Sequence, residues 1–372
     1  MKKRKRHNTK IKIPKVKNWV VLFGLPLLLA VVGLVFVFEA SSIRGLKEVG
    51  DSFHYLKLQV QWIVLGVACM TFFSFFNYRN LYYTALPLMV IVIILLVIVL
   101  IPSVGEKAGG ARSWINLGFF NVQPTEFAKL ATIIYLASWF SGKEKRRFLP
   151  FISLLGFLMF LILLQPDMGT TIIIFLLSTT IYFLAGKELR YLFLLVPVSV
   201  AGFLFLVLLA PYRMRRLTAF LNPSQDPQGV GYHINQILIS LSQGGIFGQG
   251  FGASRQKYLF LPEAHTDSIF AIYGEEFGFL GSMTLIFIYV IFLYKIYQIY
   301  GATEDRFAKL IVGGIFAYFG FQIIINLGGM VNLMPLTGVT LPFISYGGSH
   351  IIISFALLGI AMNIAKHAKR SS

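Results

Sequence analysis

The chain is constrained above all by apolar stretches that are long enough to cross a membrane as helices, which takes about 20 residues each. Only 13% of the 372 residues are charged, whereas a soluble domain carries about 25%, so an ordinary soluble fold is excluded. Ten stretches lie at roughly residues 18–40, 58–76, 81–101, 125–141, 149–165, 168–186, 190–210, 268–297, 307–330 and 345–365. None alternates apolar and polar residues as a barrel strand would. We therefore predict an all-α polytopic membrane protein with about ten transmembrane helices.

Positive charge is distributed unevenly between the two sides that these spans define. The tails and even-numbered loops hold 22 of the 33 Lys and Arg residues, the odd-numbered loops hold ten, and Lys129 lies inside a span. Cytoplasmic loops are enriched in Lys and Arg, so both termini are predicted to be cytoplasmic. The net charge of +18 is thus mainly a topology signal and not a sign of nucleic-acid binding. The basic tails are also expected to contact anionic membrane lipids.

The predicted organisation is a single membrane domain at 18–366 between a basic tail at 1–17 and a short tail at 367–372. A cleaved signal peptide is the alternative for the first stretch, but the run is long for one. Two long loops fall on the outer side, at 102–124 and, between helices seven and eight, at 211–267. Long loops in a compact protein are usually functional.

The larger outer loop has two features of its own. Residues 232–243 have the pattern of a short amphipathic helix, which we expect at the outer interface. The glycine run at 244–252 lacks the Lys-Ser/Thr of a phosphate-binding loop, so no nucleotide is expected. With Cys69 as the only cysteine, disulfides and thiolate metal clusters are not expected either.

Four charged residues lie inside predicted spans, where an ionisable group is costly unless it is paired or hydrated. Glu126 and Lys129 are three residues apart on one helical face, so they can form a structural pair or line a cavity. Glu275 and Glu276 diverge by about 100° on a helix, so at most one of them faces a given cavity.

The densest polar cluster, residues 261–268, immediately precedes the eighth span. Asp267 would lie at the helix N-terminus, where a carboxylate can cap the helix. The alternative is that Asp267 acts as a general base or cation ligand facing an outer cavity. His265 is the only imidazole in the cluster, and zinc requires three or four ligands.

Several cations lie on the outer side against the usual charge bias, which suggests a phosphate-bearing substrate because guanidinium groups bind phosphate bidentately. Ordinary salt bridges to nearby carboxylates are the alternative for each of them. The set comprises Lys107, Arg112, Arg213, Arg215, Arg216, Arg255 and Lys257.

Eight motifs, taken together and in this order, resemble the SEDS (shape, elongation, division and sporulation) family, which includes RodA and FtsW. They lie at 110–115, 123–129, 165–170, 226–232, 244–248, 261–267, 274–278 and 341–349, and the resemblance covers nearly the whole chain.

The resemblance implies a ten-span peptidoglycan glycosyltransferase of the bacterial cytoplasmic membrane. It would polymerise lipid II into glycan strands on the outer face and release undecaprenyl pyrophosphate. A class B penicillin-binding protein is the implied partner, and a divalent cation, Mg or Mn, is a possible companion of the pyrophosphate. The family's essential aspartate falls on Asp267 and its outer-loop tryptophan on Trp114.

The residues and the resemblance lead to one chemical hypothesis. Lipid II carries an α-linked sugar pyrophosphate and the polymer is β-linked, so the transfer inverts and needs a base for the acceptor 4-hydroxyl. Asp267 is the predicted base. The leaving group needs positive charge, for which the candidates are Arg112, Lys129, Arg213, Arg216, Arg255 and Lys257. Glu126 and Glu275 are candidates for orienting these groups, and His265 and Ser345 complete the predicted substrate-binding set.

Three residues depart from the family pattern, namely Ser113, Ser268 and His350. Two alternative functions are a lipid II flippase, which predicts polar residues on both faces of a path, and a non-catalytic scaffold for a penicillin-binding protein. The outer concentration of polar residues favours surface chemistry over transport. A role in division is favoured modestly over elongation by residues 256–267 and 337–340.

Overall fold

The structure, a computed structural model, describes residues 19–108, 111–116, 118, 121–142, 148–188, 191, 193, 197, 199, 201, 202, 207, 208, 210–223 and 229–368. Within them the helices are α1 (Trp19–Val49), α2 (His54–Phe75), α3 (Asn80–Ile98), α4 (Pro124–Ser141), α5 (Phe148–Leu163), α6 (Met168–Leu184), α7 (Pro211–Leu221), α8 (Val230–Gly244), α9 (Ile269–Ala302), α10 (Arg306–Met330) and α11 (Gly348–Ala368). The strands are β1 (Gly105–Ala108), β2 (Ala111–Asn116) and β3 (Asn121–Val122).

The all-α polytopic fold is confirmed. Among the described residues, six helices are long and apolar enough to cross a membrane (α1, α2, α3, α9, α10 and α11), and α5 and α6 are shorter apolar helices. The fourth predicted stretch forms α4. Most of the seventh, at 190–210, lies outside the described residues, as do the tail at 1–17 and residues 369–372.

The centre of the bundle is built from α4, α10 and α11. Thirteen of the 18 residues of α4 are buried, which lets this helix carry Glu126 and Lys129 without exposing them to lipid. Small residues allow the central helices to approach their neighbours closely, as is typical of membrane proteins. A Cβ at Gly359 of α11 would overlap the carbonyl of Met70 in α2, and one at Gly314 of α10 would overlap Ile133 of α4.

Both long outer loops contain regular structure. In the first, β1, β2 and β3 form a three-stranded antiparallel sheet with the order β1-β2-β3. The sheet pairs Glu106 with Trp114 and Ile115 with Val122. The backbone N–H of Gln123 donates to Ser349 Oγ at 3.0 Å, which joins the end of the sheet to the first turn of α11.

The amphipathic helix of the larger loop exists, as α8, but the structure shows it packed along α9 and not isolated at the interface. His233 Nε2 lies 2.7 Å from Ser268 Oγ, and Ser240 Oγ donates to the carbonyl of Ala271 at 2.9 Å. Further along both helices, a Cβ at Gly244 would overlap the carbonyl of Gly274. Residues later in α8 contact residues later in α9, so α8 runs parallel to the first turns of α9.

The segment after α8 turns back at a kink in α9. At Gly278 the backbone has φ 65° and ψ −163°, a conformation for which glycine is suited. This kink frees the N–H groups of Phe279 and Leu280, which donate to the carbonyls of Gly245 and Ile246 at 2.9 and 3.1 Å. Gly278 lies ten residues after Ser268, or about 15 Å along a helix. The loop between α8 and α9 therefore descends beside the bundle before it returns to Asp267.

Candidate active site

Asp267 is held in a buried position just before α9. Asn326 Nδ2 of α10 donates to the carbonyl of Asp267 and to that of Val339, both at 2.8 Å, and so ties the outer ends of three segments together. Asp267 Oδ2 lies beside Gly338, where a Cβ would be only 3.9 Å away. The residue that caps α9 is Ser268, and no side chain there makes a capping hydrogen bond. The alternative of Asp267 as a helix cap is therefore wrong.

The surroundings of the Asp267 carboxylate suit a general base. Burial, with a contribution from the nearby charge of Glu263, raises the pKa of Asp267 to about 6. The Thr266 hydroxyl, which donates to Asp267 Oδ1 at 3.2 Å, and the charge of Arg216 both act in the opposite direction. A carboxylate with this pKa is mostly ionised at neutral pH and is still basic enough to accept a proton effectively.

An apolar cavity of about 160 Å³ lies near Asp267; Arg213 and Arg216 of α7 line it, whereas Asp267 itself does not. The rest of its lining comes from Met168, Ile172, Val207, Leu217, Ile325, Met334, Pro335, Leu336 and Thr337. Thr337 immediately precedes Gly338, the residue beside Asp267. The cavity thus combines an apolar wall with two guanidinium groups close to the candidate base.

The two arginines are anchored differently. Arg213 is buried, its Nε donates to Tyr212 Oη at 2.9 Å, and its Nη2 reaches the carbonyl of Leu163 at 3.4 Å. Arg216 is half-buried and its Nη1 lies 3.4 Å from the carbonyl of Leu336. Of the two, Arg216 is the one whose charge favours the ionised form of Asp267. These contacts agree with the predicted grouping of both arginines near the reacting centre.

Lys257 and Glu275 both make contacts inside the protein, and their predicted binding of substrate stays a prediction. Lys257 Nζ pairs with Glu39 of α1, lies 3.5 Å from Glu276 Oε1, and donates to the carbonyl of Gly252 at 2.7 Å. These contacts hold the returning loop against α1 and α9.

Glu275 fastens the same loop from inside α9. Its carboxylate accepts hydrogen bonds from Ser240 Oγ at 3.1 Å, Ser254 Oγ at 2.6 Å and the N–H of Arg255 at 2.9 Å. The side chain of Arg255 itself is exposed, so its predicted contact with phosphate stays a prediction.

His265 and Ser345 are also structural. The His265 ring is buried between Tyr55 and Tyr346, with ring centroids 4.8 and 5.4 Å away. Burial, reinforced by the charge of Arg44, lowers the pKa of His265 to about 4, so the ring is neutral at pH 7. Ser345 Oγ accepts the N–H of Leu341 at 2.9 Å. Both residues shape the loops around Asp267, and their predicted role in substrate binding stays a prediction.

Glu126 and Lys129 form the structural pair that was one of the two alternatives, with 2.6 Å between Oε1 and Nζ and almost no exposure. His350 of α11, one of the departures from the family pattern, places Nδ1 at 3.6 Å from Glu126 Oε2. The predicted contact of Glu126 and Lys129 with substrate stays a prediction.

Arg112 and Trp114 lie on β2 in the outer sheet, both partly exposed, and their contact with substrate stays a prediction. Ser268, another departure, is explained by its 2.7 Å contact with His233 of α8. A search for charged residues in the spans does not find Asn326; the signal that marks it is an amide side chain in an apolar helix, which Gln322 shares. Among the described residues, no three His, Cys, Asp or Glu side chains group as metal ligands, and a divalent cation with the pyrophosphate stays a prediction.

Comparison with known proteins gives a consistent family picture. A family profile described as "Cell cycle protein", covering FtsW, RodA and SpoVE, matches residues 20–370. The stage V sporulation protein E of Bacillus subtilis (strain 168) is 38% identical over 355 residues, which are 94% of this chain and 97% of that protein. A probable peptidoglycan glycosyltransferase FtsW of Trichlorobacter lovleyi is 38% identical over 358 residues, covering 93% of this chain and 94% of that protein.

Solved structures show the same fold. A chain from a peptidoglycan synthase complex, studied for the coordination of polymerization and crosslinking, superposes with a TM-score of 0.75 at 28% identity. That match covers 93% of this chain and 98% of the other. The rod shape determining protein RodA of Thermus thermophilus superposes with a TM-score of 0.69 at 27% identity, covering 93% of this chain and 95% of that one.

Proposed function

The chain belongs to the SEDS family of cell-cycle membrane proteins, which includes FtsW, RodA and SpoVE, and we propose on this basis that Asp267 is the general base of its glycosyl transfer. The protein is a peptidoglycan glycosyltransferase of the bacterial cytoplasmic membrane that acts in division or elongation. It polymerises lipid II into β-1,4 glycan strands at the outer face. Relatives that match nearly the whole chain carry the name "Probable peptidoglycan glycosyltransferase FtsW".

The observation that carries the assignment of the base is the position of Asp267. Its buried carboxylate lies beside Gly338, and the preceding residue, Thr337, lines the cavity with Arg213 and Arg216. The 4-hydroxyl of the acceptor sugar attacks the anomeric carbon of the donor from the face opposite the pyrophosphate. As the new C–O bond forms, the bond from the anomeric carbon to the phosphate oxygen breaks and the hydroxyl proton passes to Asp267. Inversion at that carbon converts the α-linkage into a β-linkage.

Positive charge near the leaving group stabilises the undecaprenyl pyrophosphate as it departs. Arg213 and Arg216 supply this charge because both line the cavity and guanidinium groups match phosphate oxygens geometrically. The apolar residues between them and α10 suit the first isoprene units of the carrier lipid. Preorganised charges of this kind act without reorganisation at the moment of reaction.

A class B penicillin-binding protein is the partner that crosslinks the strands. This proposal agrees with the solved relative that belongs to a complex coordinating polymerization and crosslinking.

The test is polymerisation of lipid II by the purified protein in vesicles together with its penicillin-binding protein. We expect glycan strands that a muramidase digests, and a loss of polymer of at least about 10²-fold for Asp267→Asn, the usual size of a general-base contribution. Glu304→Gln, an exposed carboxylate beyond the cytoplasmic end of α9, is the matched control and keeps wild-type activity. Flipped lipid II without polymer would instead support transport. Unchanged polymer with Asp267→Asn would refute the role of Asp267.

A further inference from the structure

Two carboxylates at the candidate site share one hydroxyl group. Thr266 Oγ1 lies 3.0 Å from Glu263 Oε2 and 3.2 Å from Asp267 Oδ1. The carbonyl of Glu263 is a third acceptor, 3.1 Å from Thr266 Oγ1. A hydroxyl has a single proton, so at any moment it donates to one of these three oxygens. The two carboxylate oxygens are therefore neighbours across one oxygen atom, no more than about 6 Å apart, a range in which one charge strongly affects another.

The backbone of Glu263 is shaped for this contact. Its φ is +48°, in the left-handed region that glycine and asparagine favour. Its carbonyl accepts the N–H groups of Thr266 and Ser268, both at 3.2 Å, which closes the turn that ends at α9. This turn directs the Glu263 side chain back over Thr266. Asparagine would adopt this backbone conformation equally well. The turn therefore does not explain why residue 263 carries a carboxylate.

We propose that Glu263 is a positioning residue that controls the protonation of Asp267 through the shared Thr266 hydroxyl, and that Arg44 of α1 balances its charge. The inference rests on the proposed role of Asp267 as the base. An ionised Glu263 disfavours a second negative charge on Asp267, so the base binds its proton more tightly than it would alone. This makes Asp267 a stronger acceptor for the proton of the attacking hydroxyl.

The charges that face this pair come from several elements. Arg44 Nη1 lies 3.9 Å from Glu263 Oε1, and Arg44 Nε bonds Glu48 Oε1 at 2.8 Å. Glu48 in turn accepts the hydroxyl of Tyr55 of α2 at 2.6 Å. On the other side, Arg216 of α7 favours ionised Asp267.

Two imidazoles complete the surroundings, His265 in the same loop and His233 of α8. Burial lowers the pKa of both to about 4, so neither is charged at neutral pH. The charges of Glu263 and Arg44 can therefore be removed one at a time. Removing the charge of Glu263 should lower the proton affinity of Asp267, and removing the charge of Arg44 should raise it.

The experiment is a set of pH–rate profiles for lipid II polymerisation in vesicles with the penicillin-binding protein. Asp267 must be ionised to act, so the wild-type rate falls as pH drops through the pKa of this group. Glu263→Gln keeps the side-chain shape and removes the charge, so the acidic limb should move down by about one pH unit. At pH 5 this variant should retain about fivefold more of its plateau rate than the wild type does, as a one-unit change in pKa requires.

Arg44→Gln removes the charge that balances Glu263 and should move the acidic limb of the profile to higher pH. Thr266→Val removes the hydroxyl that donates to Asp267 and should move the limb in the same direction. Asp51→Asn is the matched control, since Asp51 is an outer carboxylate that pairs with Lys57 and has no contact with Asp267 among the described residues. Its limb should match the wild type. Opposite displacements cannot arise from partial unfolding, which would lower the rate at every pH.

The inference is overturned if Glu263→Gln lowers the plateau rate and leaves the limb in place, or if Glu263→Gln and Arg44→Gln move the limb in the same direction. A failure of the base assignment is distinct. In that case the Asp267→Asn variant retains both its rate and the acidic limb, whatever the Glu263 variants do.

Discussion

Replacing Glu275 by alanine should loosen the outer loop, because this carboxylate is the internal anchor of residues 254 and 255. Ser254 Oγ donates to it at 2.6 Å and the N–H of Arg255 at 2.9 Å. The third donor, Ser240 Oγ, has the carbonyl of Ala271 as an alternative acceptor at 2.9 Å. One buried donor, Ser254 Oγ, and one partly buried donor, the N–H of Arg255, thus lose their only acceptor in the described part of the chain.

A buried donor left without an acceptor costs about 1–3 kcal/mol. The Glu275→Ala variant should therefore lose about 2–6 kcal/mol of local stability, some of which is offset because a buried carboxylate no longer has to be desolvated. At about 1.4 kcal/mol per factor of ten, the amide of Arg255 should exchange hydrogen at least about tenfold faster. Hydrogen exchange by mass spectrometry in nanodiscs, covering the loop peptides, measures this directly.

Glu304→Ala is the control, because this exposed carboxylate follows the cytoplasmic end of α9 and should leave exchange unchanged. If Glu275→Ala kept the loop protected and instead weakened lipid II binding, the structural role would be refuted. Glu275 would then be the substrate ligand that its intramembrane position suggested.

Two further predictions concern the cavity and the packing of α8. Arg216→Gln should lower polymerisation about 10–100-fold at saturating lipid II, as the loss of one charge-assisted phosphate contact implies. The same variant should move the acidic limb of the pH–rate profile to higher pH, because it lacks a charge that favours ionised Asp267. An unchanged rate would remove Arg216 from the leaving-group site. Gly244→Ala should lower the thermal unfolding temperature, since its Cβ would overlap the carbonyl of Gly274. The control Gly301→Ala, at a site with open space, should leave this temperature unchanged. Equal unfolding temperatures for the two variants would refute the close packing of α8 on α9.

The spans could be predicted from the sequence because lipid imposes a simple rule of length and polarity. The helix at 124–141 was found although it carries Glu126 and Lys129, since their spacing of three residues signals a pair on one face. The place of Asp267 just before α9 could be predicted from the polar cluster that precedes the eighth span. Its role as the base was implied by the family resemblance and stays a prediction.

The roles of Lys257 and Glu275 could not be predicted, because their partners are brought in by tertiary structure. Glu39, which pairs with Lys257, lies 218 residues earlier in the chain. An amphipathic pattern also cannot distinguish a helix on the membrane surface from one that packs along another helix, so the placement of α8 was missed. The strands were not predicted: Gly109-Gly110 is a recognised hairpin signal, but the run before it, Gly105–Ala108, consists of residues that are depleted in strands.

The most direct test of the account is the pH dependence of a single round of glycosyl transfer, measured for the wild type and for Asp267→Asn in the same vesicles. With a pKa of about 6 for Asp267, the wild-type rate should be near its plateau at pH 7 and about tenfold lower at pH 5, since the ionised fraction falls by that factor. The Asn variant should be slower by at least about 10²-fold, and its rate should not change across this range. An Asn variant that kept the same acidic limb would contradict the assignment of Asp267 as the base.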